Sequence, residues 1–200
     1  MRTARAFVLM MTAAALLTAT SASAQADKPA GGADQAAAME KMMAMMQPGP
    51  EHKQLAKLVG KWKSVNKMWM DPAAPPMEST GTMEYVSVME GRYLRGSYKG
   101  TVMGMPFEGM SIDGYDRYKK LYFSLWFDNM GTGFIDQRGT CSADGKTITL
   151  AGMMFTPQLG KDSPVRAVTT WINDNTIRYD MFETKDGKEV KSMEIIYTRM

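Results

Sequence analysis

The sequence predicts an all-β protein, a single up-and-down antiparallel β-barrel of about ten strands with a short N-terminal helix before it. After Gly60, segments of about 8 to 11 residues are rich in aromatic and β-branched residues. Short turn sequences typical of hairpins separate them: Glu90-Gly91, Met103-Gly104, Asn129-Met130-Gly131, Asp144-Gly145, Asn173-Asp174-Asn175 and Asp186-Gly187. Strands joined in this way leave two exposed sheet edges, and closure into a barrel removes both.

The N-terminus has the pattern of a secretory signal peptide. Arg2 and Arg5 precede an apolar stretch over residues 6–17, and the small residues Ala22-Ser23-Ala24 precede Gln25. The apolar stretch is about twelve residues, shorter than the roughly 20 that a membrane-spanning helix needs. We therefore expect cleavage near Ala24, export to the periplasm or beyond, and no integral membrane segment in the mature protein.

Composition narrows the classes of function. Without Arg2 and Arg5, 22 of the 24 basic residues remain against 21 acidic ones, so the mature chain is nearly neutral. This balance gives no reason to expect nucleic acid as a partner. Cys141 is the only cysteine, which excludes an internal disulfide, and His52 is the only histidine, which excludes a multi-histidine zinc site.

Residues 25–47 are rich in Ala and Met and contain no aromatic or β-branched residue, which indicates a flexible segment with a short helix over 36–46. Pro48-Gly49-Pro50 ends that helix, so we place the barrel domain at 48–200. The spacing of four methionines places them on one helix face: Met39, Met42, Met43 and Met46. Their thioethers could hold a Cu(I) ion, or the stripe could simply pack against the barrel.

A second short helix is predicted over 51–59, with Gly60 as its stop. The strands that follow are predicted near 61–70, 80–88, 92–102, 105–116, 120–128, 131–140, 146–154, 165–173, 176–183 and 189–199. A barrel of this size can enclose a small ligand, whereas a filled barrel or a sandwich uses the same space for side chains. The pattern leaves both interiors open, since residues 121–127 are apolar at both parities.

Two resemblances support the barrel. Gly60-Lys61-Trp62 resembles the G-x-W signature of lipocalin-like barrels, in which an Arg of the last strand covers the Trp, and Arg199 lies in that position. From residue 48 onwards the chain resembles a secreted bacterial family, domain of unknown function 1579. The similar segments are Pro48-Gly-Pro-Glu-His52, Leu58-Val-Gly-Lys-Trp62, Trp69-Met-Asp-Pro-Ala-Ala-Pro-Pro76, Gly91-Arg-Tyr-Leu94, Gly104-Met-Pro-Phe-Glu-Gly109, Gly114-Tyr-Asp116 and Tyr197-Thr-Arg199. The chain departs at Arg117, where the family often has Asn. The family implies a fold and no activity.

We therefore expect an exported, non-catalytic protein that binds a small apolar ligand in its barrel, without a cofactor. The expected ligand-binding residues are Trp62, Met105, Phe107 and Arg199, with the loops at 71–76 and 104–109 framing the mouth. His52 is expected to cap or pack its helix, and Cys141 to be a buried apolar residue. The alternatives are an envelope structural or interaction protein with a filled barrel, and periplasmic Cu(I) binding by the methionine helix.

Overall fold

The computed structural model describes residues 31–157, 159–185 and 187–200, so the predicted signal peptide lies outside the described residues. Two helices come first, α1 (Gly32–Met45) and α2 (Pro50–Ala56). Ten strands follow: β1 (Gly60–Met68), β2 (Met77–Val88), β3 (Tyr93–Val102), β4 (Met105–Asp116), β5 (Leu121–Asp128), β6 (Ile135–Cys141), β7 (Thr147–Thr156), β8 (Lys161–Asn173), β9 (Thr176–Lys185) and β10 (Lys188–Arg199).

The strands form one closed up-and-down barrel, which confirms the predicted fold class. Each strand pairs antiparallel with its neighbours in sequence, and β1 closes the barrel against β10 with a register from Trp62 opposite Arg199 to Met68 opposite Met193. Closure gives every strand two partners, so the barrel has no free edge. None of the helices in the described part of the chain is long and apolar enough to span a bilayer.

Several predicted boundaries differ from the structure. β6 begins at Ile135 rather than at residue 131, because Gly131 to Phe134 belong to the preceding turn. β8 begins at Lys161 rather than at 165, since its polar first residues pair with the end of β7, where Pro164 lies opposite Met153. The predicted loop 104–109 is largely strand: only Gly104 lies in the turn, and β4 starts at Met105.

Helix α2 covers one end of the barrel, which we call the closed end. Pro50 takes the first helical position, where a missing N–H costs nothing, and the Gly49 N–H donates to Nδ1 of His52 at 3.0 Å. His52 is buried, with its ring edge-on to Tyr115, so the predicted capping and packing role is confirmed. Burial lowers the pKa of His52.

Trp62 is the centre of the closed end. It is 1% exposed, packs with Leu55 and Leu58 of the α2 region, and donates from Nε1 to the Leu58 carbonyl at 2.7 Å. The guanidinium of Arg199 lies 4.1 Å from the centre of the Trp62 ring and donates to the carbonyls of Val59 and Lys57. The predicted cation–π contact is confirmed, and it ties the last strand to the start of the first.

Helix α1 stands apart from this core. It begins at Gly32, four residues before the predicted start, and none of its residues is buried. Arg117 Nη1 donates to the carbonyls of Ala44 and Gln47, which connects the end of the helix to the turn between β4 and β5. The helix therefore adds little to the packing of the barrel.

Candidate functional site

The barrel encloses a cavity of about 830 Å³ that opens at the end opposite α2. Loops after β1, β3, β5, β7 and β9 surround the opening, and residues from each of the first four line it: Trp69, Met103, Met130 and Pro157. This volume lies in the range of about 300 to 1,000 Å³ that is typical of sites for small molecules. The prediction of a filled barrel, made with the alternative function, is therefore wrong.

Side-chain alternation along the strands sets the lining. On β5 the residues at even positions line the cavity, namely Tyr122, Ser124, Trp126 and Asp128, together with Phe123. The sequence left open which face of β5 points into the barrel, because residues 121–127 are apolar at both parities. The structure shows that the even positions do, and the register with β4 places Ser124 opposite Asp113. Aromatic and polar side chains thus alternate along the inward face of β5, from the closed end to the mouth.

Two glycines let large rings lie flat on the barrel wall. A Cβ on Gly81 would sit 2.2 Å from the Tyr98 hydroxyl, and one on Gly109 would sit 2.3 Å from Cζ2 of Trp126. Such distances are far inside van der Waals contact, so only glycine permits these arrangements. The rings cover the wall instead of filling the centre, and the cavity remains open.

Five polar side chains cross the middle of the cavity, and we call them the polar belt: Asn66, Ser111, Asp113, Ser124 and Gln137. Asp113 is at its centre. Oγ of Ser111 donates to Oδ2 of Asp113 at 2.6 Å, and Ser124 also hydrogen-bonds this carboxyl group. Burial raises the pKa of Asp113, and the two serine hydrogen bonds only partly oppose that effect. The protein thus holds a carboxyl group in surroundings that disfavour its charge.

Three tyrosines surround this carboxyl group: Tyr85 on β2, Tyr179 on β9 and Tyr197 on β10. Burial raises the pKa of each hydroxyl well above its usual range, and the charge of Asp113 adds to each shift. The hydroxyls therefore remain protonated and can donate hydrogen bonds. Nearer the closed end, burial raises the pKa of Tyr122 to about 12.

Among the residues that the structure describes, three polar atoms of cavity-lining side chains are buried without a hydrogen-bond partner: Oδ1 of Asn66, Nε2 of Gln137 and Nε1 of Trp171. Gln137 is 6% exposed, and the Nδ2 of Asn66 is already used, donating to Ser79 and to the Tyr98 hydroxyl at 2.8 Å. An unsatisfied buried donor or acceptor costs about 1 to 3 kcal/mol. A bound molecule that hydrogen-bonds these atoms would recover part of that cost.

The mouth of the cavity is apolar. Five of its lining residues are between 54% and 59% exposed: Met70, Met103, Met130, Phe155 and Leu159. Of the three charged residues towards the mouth, Asp128, Glu183 and Lys185, two are engaged: Asp128 accepts from Nε1 of Trp126 at 2.8 Å and Lys185 donates to the Met70 carbonyl at 3.0 Å. An apolar molecule entering the barrel therefore meets apolar surface first.

The expected ligand-binding residues fall into two groups. Trp62 and Phe107 line the cavity, Trp62 at its closed end and Phe107 stacked near Trp126. Met105 is 49% exposed at the start of β4, and Arg199 lies over Trp62 at the closed end, so neither is among the described residues that line the cavity. Of the two segments expected to frame the mouth, 71–76 contributes none of the described residues that line the cavity, and 104–109 contributes only Phe107, which lies on β4.

The polar belt was missed by sequence reasoning. Asn66, Asp113 and Gln137 belong to three different strands, and nothing local marks them as neighbours. The available signal was alternation on one strand, since Phe107, Ser111 and Asp113 share a parity on β4 and all three line the cavity. A carboxylate on the face of a strand that points into the barrel is the pattern that could have identified the site.

The methionine helix does not contribute to the cavity. Met39, Met42, Met43 and Met46 are between 48% and 58% exposed on α1, so the interpretation that they pack against the barrel is wrong. Cu(I) binding by these thioethers stays a prediction. Among the described residues, no group of three or more His, Cys, Asp and Glu side chains could hold a metal ion.

Cys141 is a free thiol at the end of β6 and is half-buried rather than buried as expected. Burial raises the pKa of the thiol, so it is mostly protonated near neutral pH. It packs beside the core at the closed end, with a structural role.

Three solved structures are similar to this chain. Rv2717c from M. tuberculosis has a TM-score of 0.59 at 16% identity, covering 77% of this chain and 99% of that one. The S-type phycobiliprotein lyase CPES from Guillardia theta has a TM-score of 0.47 at 13% identity, covering 79% and 96%. A redesigned β-barrel, b11L5F_LGL, has a TM-score of 0.39 at 17% identity, covering 72% and 93%. The similarity to Rv2717c supports the barrel fold.

No curated protein matches the chain. The family model described as protein of unknown function (DUF1579) matches residues 47–199, which is most of the chain and includes both α2 and the whole barrel. The resemblance seen in the sequence is therefore confirmed, and the chain belongs to the DUF1579 family.

Proposed function

We propose that this protein is an exported, non-catalytic binder of a small, mostly apolar molecule, which it holds inside the barrel. The observation that carries the proposal is a cavity of about 830 Å³ whose lining is largely aromatic and aliphatic but includes buried polar atoms without partners. Sites for small molecules have this composition, in which apolar surface supplies affinity and a few polar groups fix orientation.

Apolar contact supplies the driving force. Each Å² of apolar surface removed from water contributes roughly 25 cal/mol, and a ligand inside the barrel is surrounded on all sides. The rings of Phe107 and Trp126 lie on the wall near the mouth, and Trp62 and Trp171 lie at the closed end. A ligand of a few hundred daltons would contact aromatic surface along its whole length.

Catalysis by Asp113 and Asp128 as a pair of carboxylates is disfavoured by the geometry. Asp113 is the only carboxyl group of the polar belt, and Asp128 follows its partner Ser124 by four residues along β5. At about 3.4 Å per residue this separation is roughly 13 Å, beyond the roughly 5 to 9.5 Å that acid–base pairs of glycosidases use. Binding is the function that these residues support.

Export remains part of the proposal. The signal-like residues at 2–24 support it, and an exported protein would meet its ligand outside the cytoplasm. The apolar mouth fits this setting, because Met70, Met103 and Phe155 would admit a molecule taken from an apolar phase.

The test is binding of a neutral fluorescent probe, N-phenyl-1-naphthylamine, to the mature protein. Thr169 lines the cavity, whereas its neighbour Thr170 is not among the lining residues. A Thr169→Phe substitution should fill part of the cavity and weaken binding about tenfold or more, and Thr170→Phe should leave binding unchanged. Equal binding by both variants and the parent protein would place the probe outside the barrel and contradict the proposal.

A further inference from the structure

Within the described part of the chain, Asp113 has no cationic partner. It lies on the inward side of β4 in the middle of the cavity, and its hydrogen-bond partners are the hydroxyls of Ser111 and Ser124. Lys185 is the only basic residue among the described residues that line the cavity, and it is six residues along β9 from Tyr179, roughly 20 Å away at about 3.4 Å per residue. Lys185 also donates to the Met70 carbonyl at the mouth.

Aromatic rings surround the same position. Tyr85, Tyr179 and Tyr197 line the cavity on three other strands, near enough to Asp113 for its charge to act on their hydroxyls. Tyr98 also lines the cavity, and its hydroxyl lies 3.2 Å from Ser64 Oγ. The faces of aromatic rings attract cations, most strongly when the cation is desolvated. A carboxyl group within a set of aromatic rings is suited to an organic ammonium group.

We propose that the ligand is a cationic amphiphile, whose ammonium group lies against Asp113 within the tyrosine rings and whose apolar remainder extends towards the mouth. This inference rests on the proposed function and specifies the class of molecule bound. The closed end is already packed by Leu55, Leu58 and Trp62, so the space for an apolar chain lies on the other side of Asp113.

The carboxyl groups that line the cavity favour a cationic ligand over a neutral or an anionic one. A carboxylate without a cation is costly inside an apolar cavity, and an ammonium group would compensate it directly. A neutral alcohol could hydrogen-bond Asp113 but would leave no charge to compensate, and an anionic head would meet Asp113, Asp128 and Glu183, which all line the cavity. The expected order of affinity is therefore cation, then neutral, then anion.

Three probes with the same alkyl chain test this order: dodecyltrimethylammonium, dodecanol and dodecanoate, each below its micelle concentration. Binding to the mature protein is measured by tryptophan fluorescence and checked by calorimetry. We expect the ammonium probe to bind about tenfold or more tighter than dodecanol, and dodecanoate to bind weakest. Equal affinity for dodecanol and the ammonium probe would overturn this inference and leave the proposed function standing.

An Asp113→Asn variant locates the effect. Asn has the same shape and no charge, and it should reduce the preference for the ammonium probe to about twofold or less while dodecanol binding stays the same. Glu108→Gln, on the outward face of the same strand and not among the described residues that line the cavity, is the matched control and should keep the preference. An undiminished preference in Asp113→Asn would overturn the assignment to Asp113. Failure of all three probes to bind the parent protein would contradict the proposed function as well.

Discussion

Asp113 is a carboxyl group held away from bulk water, in a cavity whose other charged lining residues, Asp128, Glu183 and Lys185, lie towards the mouth. Its pKa in the folded protein is raised above the ordinary 3.8 because burial penalises the charged form. The groups that face it are Ser111 on its own strand, Ser124 on β5, Tyr85 on β2, Tyr179 on β9 and Tyr197 on β10. Since none of them is basic, no neighbouring positive charge offsets the penalty that burial places on the charged carboxylate.

The pH dependence of stability follows from that shift. A raised pKa means that the folded state binds the proton more tightly, so the contribution of Asp113 is fully present below about pH 4 and is lost as pH rises through the raised pKa. We expect Asp113→Asn to equal the parent protein in free energy of unfolding at pH 4 and to exceed it at pH 8. Urea unfolding at both pH values measures this. A variant that is less stable at pH 8 than at pH 4, relative to the parent, would contradict it.

Arg199 has a structural role at the closed end. Its guanidinium covers Trp62 and donates to three carbonyls, those of Lys57, Val59 and Asp174. We expect Arg199→Met to lower the free energy of unfolding by about 2 kcal/mol, from the lost cation–π contact and charged hydrogen bonds. Ligand affinity should not change, because Arg199 does not line the cavity.

Arg138→Met is the matched control for this measurement. Arg138 is exposed and its ion pair is with Asp136, two residues away on the same strand, so its loss should cost clearly less than the loss of Arg199. Equal effects of the two substitutions would show that Arg199 contributes no more than an ordinary surface arginine.

At the scale of the strand, alternation and glycine together decide the shape of the cavity. Gly109 permits the Trp126 ring to lie across β4, and the strand register places the two residues close to each other. We expect Gly109→Ala to displace the Trp126 ring, lowering the free energy of unfolding by about 1 to 3 kcal/mol and altering tryptophan fluorescence. Gly131→Ala, where an added Cβ meets nothing within 4 Å, should change neither. An unperturbed Gly109→Ala spectrum would contradict the described wall.

Helix α1 offers a separate test at this scale. Because none of its residues is buried and none lines the cavity, removal of residues 25–47 should leave the free energy of unfolding within about 0.5 kcal/mol and leave ligand affinity unchanged. The same truncation tests Cu(I) binding, which should be lost if Met39, Met42, Met43 and Met46 form the site. Copper binding that persists after truncation would contradict that prediction.

For the whole molecule, the barrel could be predicted because its causes are local or topological. Strand-forming segments, hairpin turns and the need to remove two edges are all visible in the sequence, and the Gly60-Lys61-Trp62 motif with Arg199 marks where the barrel closes. The predicted start of β6 was wrong because Gly131 and the residues up to Phe134 precede the strand. The predicted start of β8 was wrong because Pro164, which suggested a later start, lies within the strand.

The candidate site was only partly predictable, for a physical reason. Trp62 could be predicted from the G-x-W motif and Phe107 from its place in the glycine-flanked segment 104–109, and both line the cavity. Asn66, Asp113 and Gln137 line one cavity only because the barrel closes and brings distant strands around the same space. Closure also removes water from polar atoms that look ordinary in the sequence. Which of them remain unpaired depends on neighbours that no local pattern identifies.

Native mass spectrometry of the mature protein, purified gently from the periplasm of cells that produce it, tests the central claim most directly. We expect an additional mass of a few hundred daltons that persists when residues 25–47 are removed and is lost in Thr169→Phe, because the ligand lies in the cavity and not on α1. Fragmentation of that mass would identify its class. A bare protein mass from such cells, under conditions that preserve noncovalent complexes, would contradict the account.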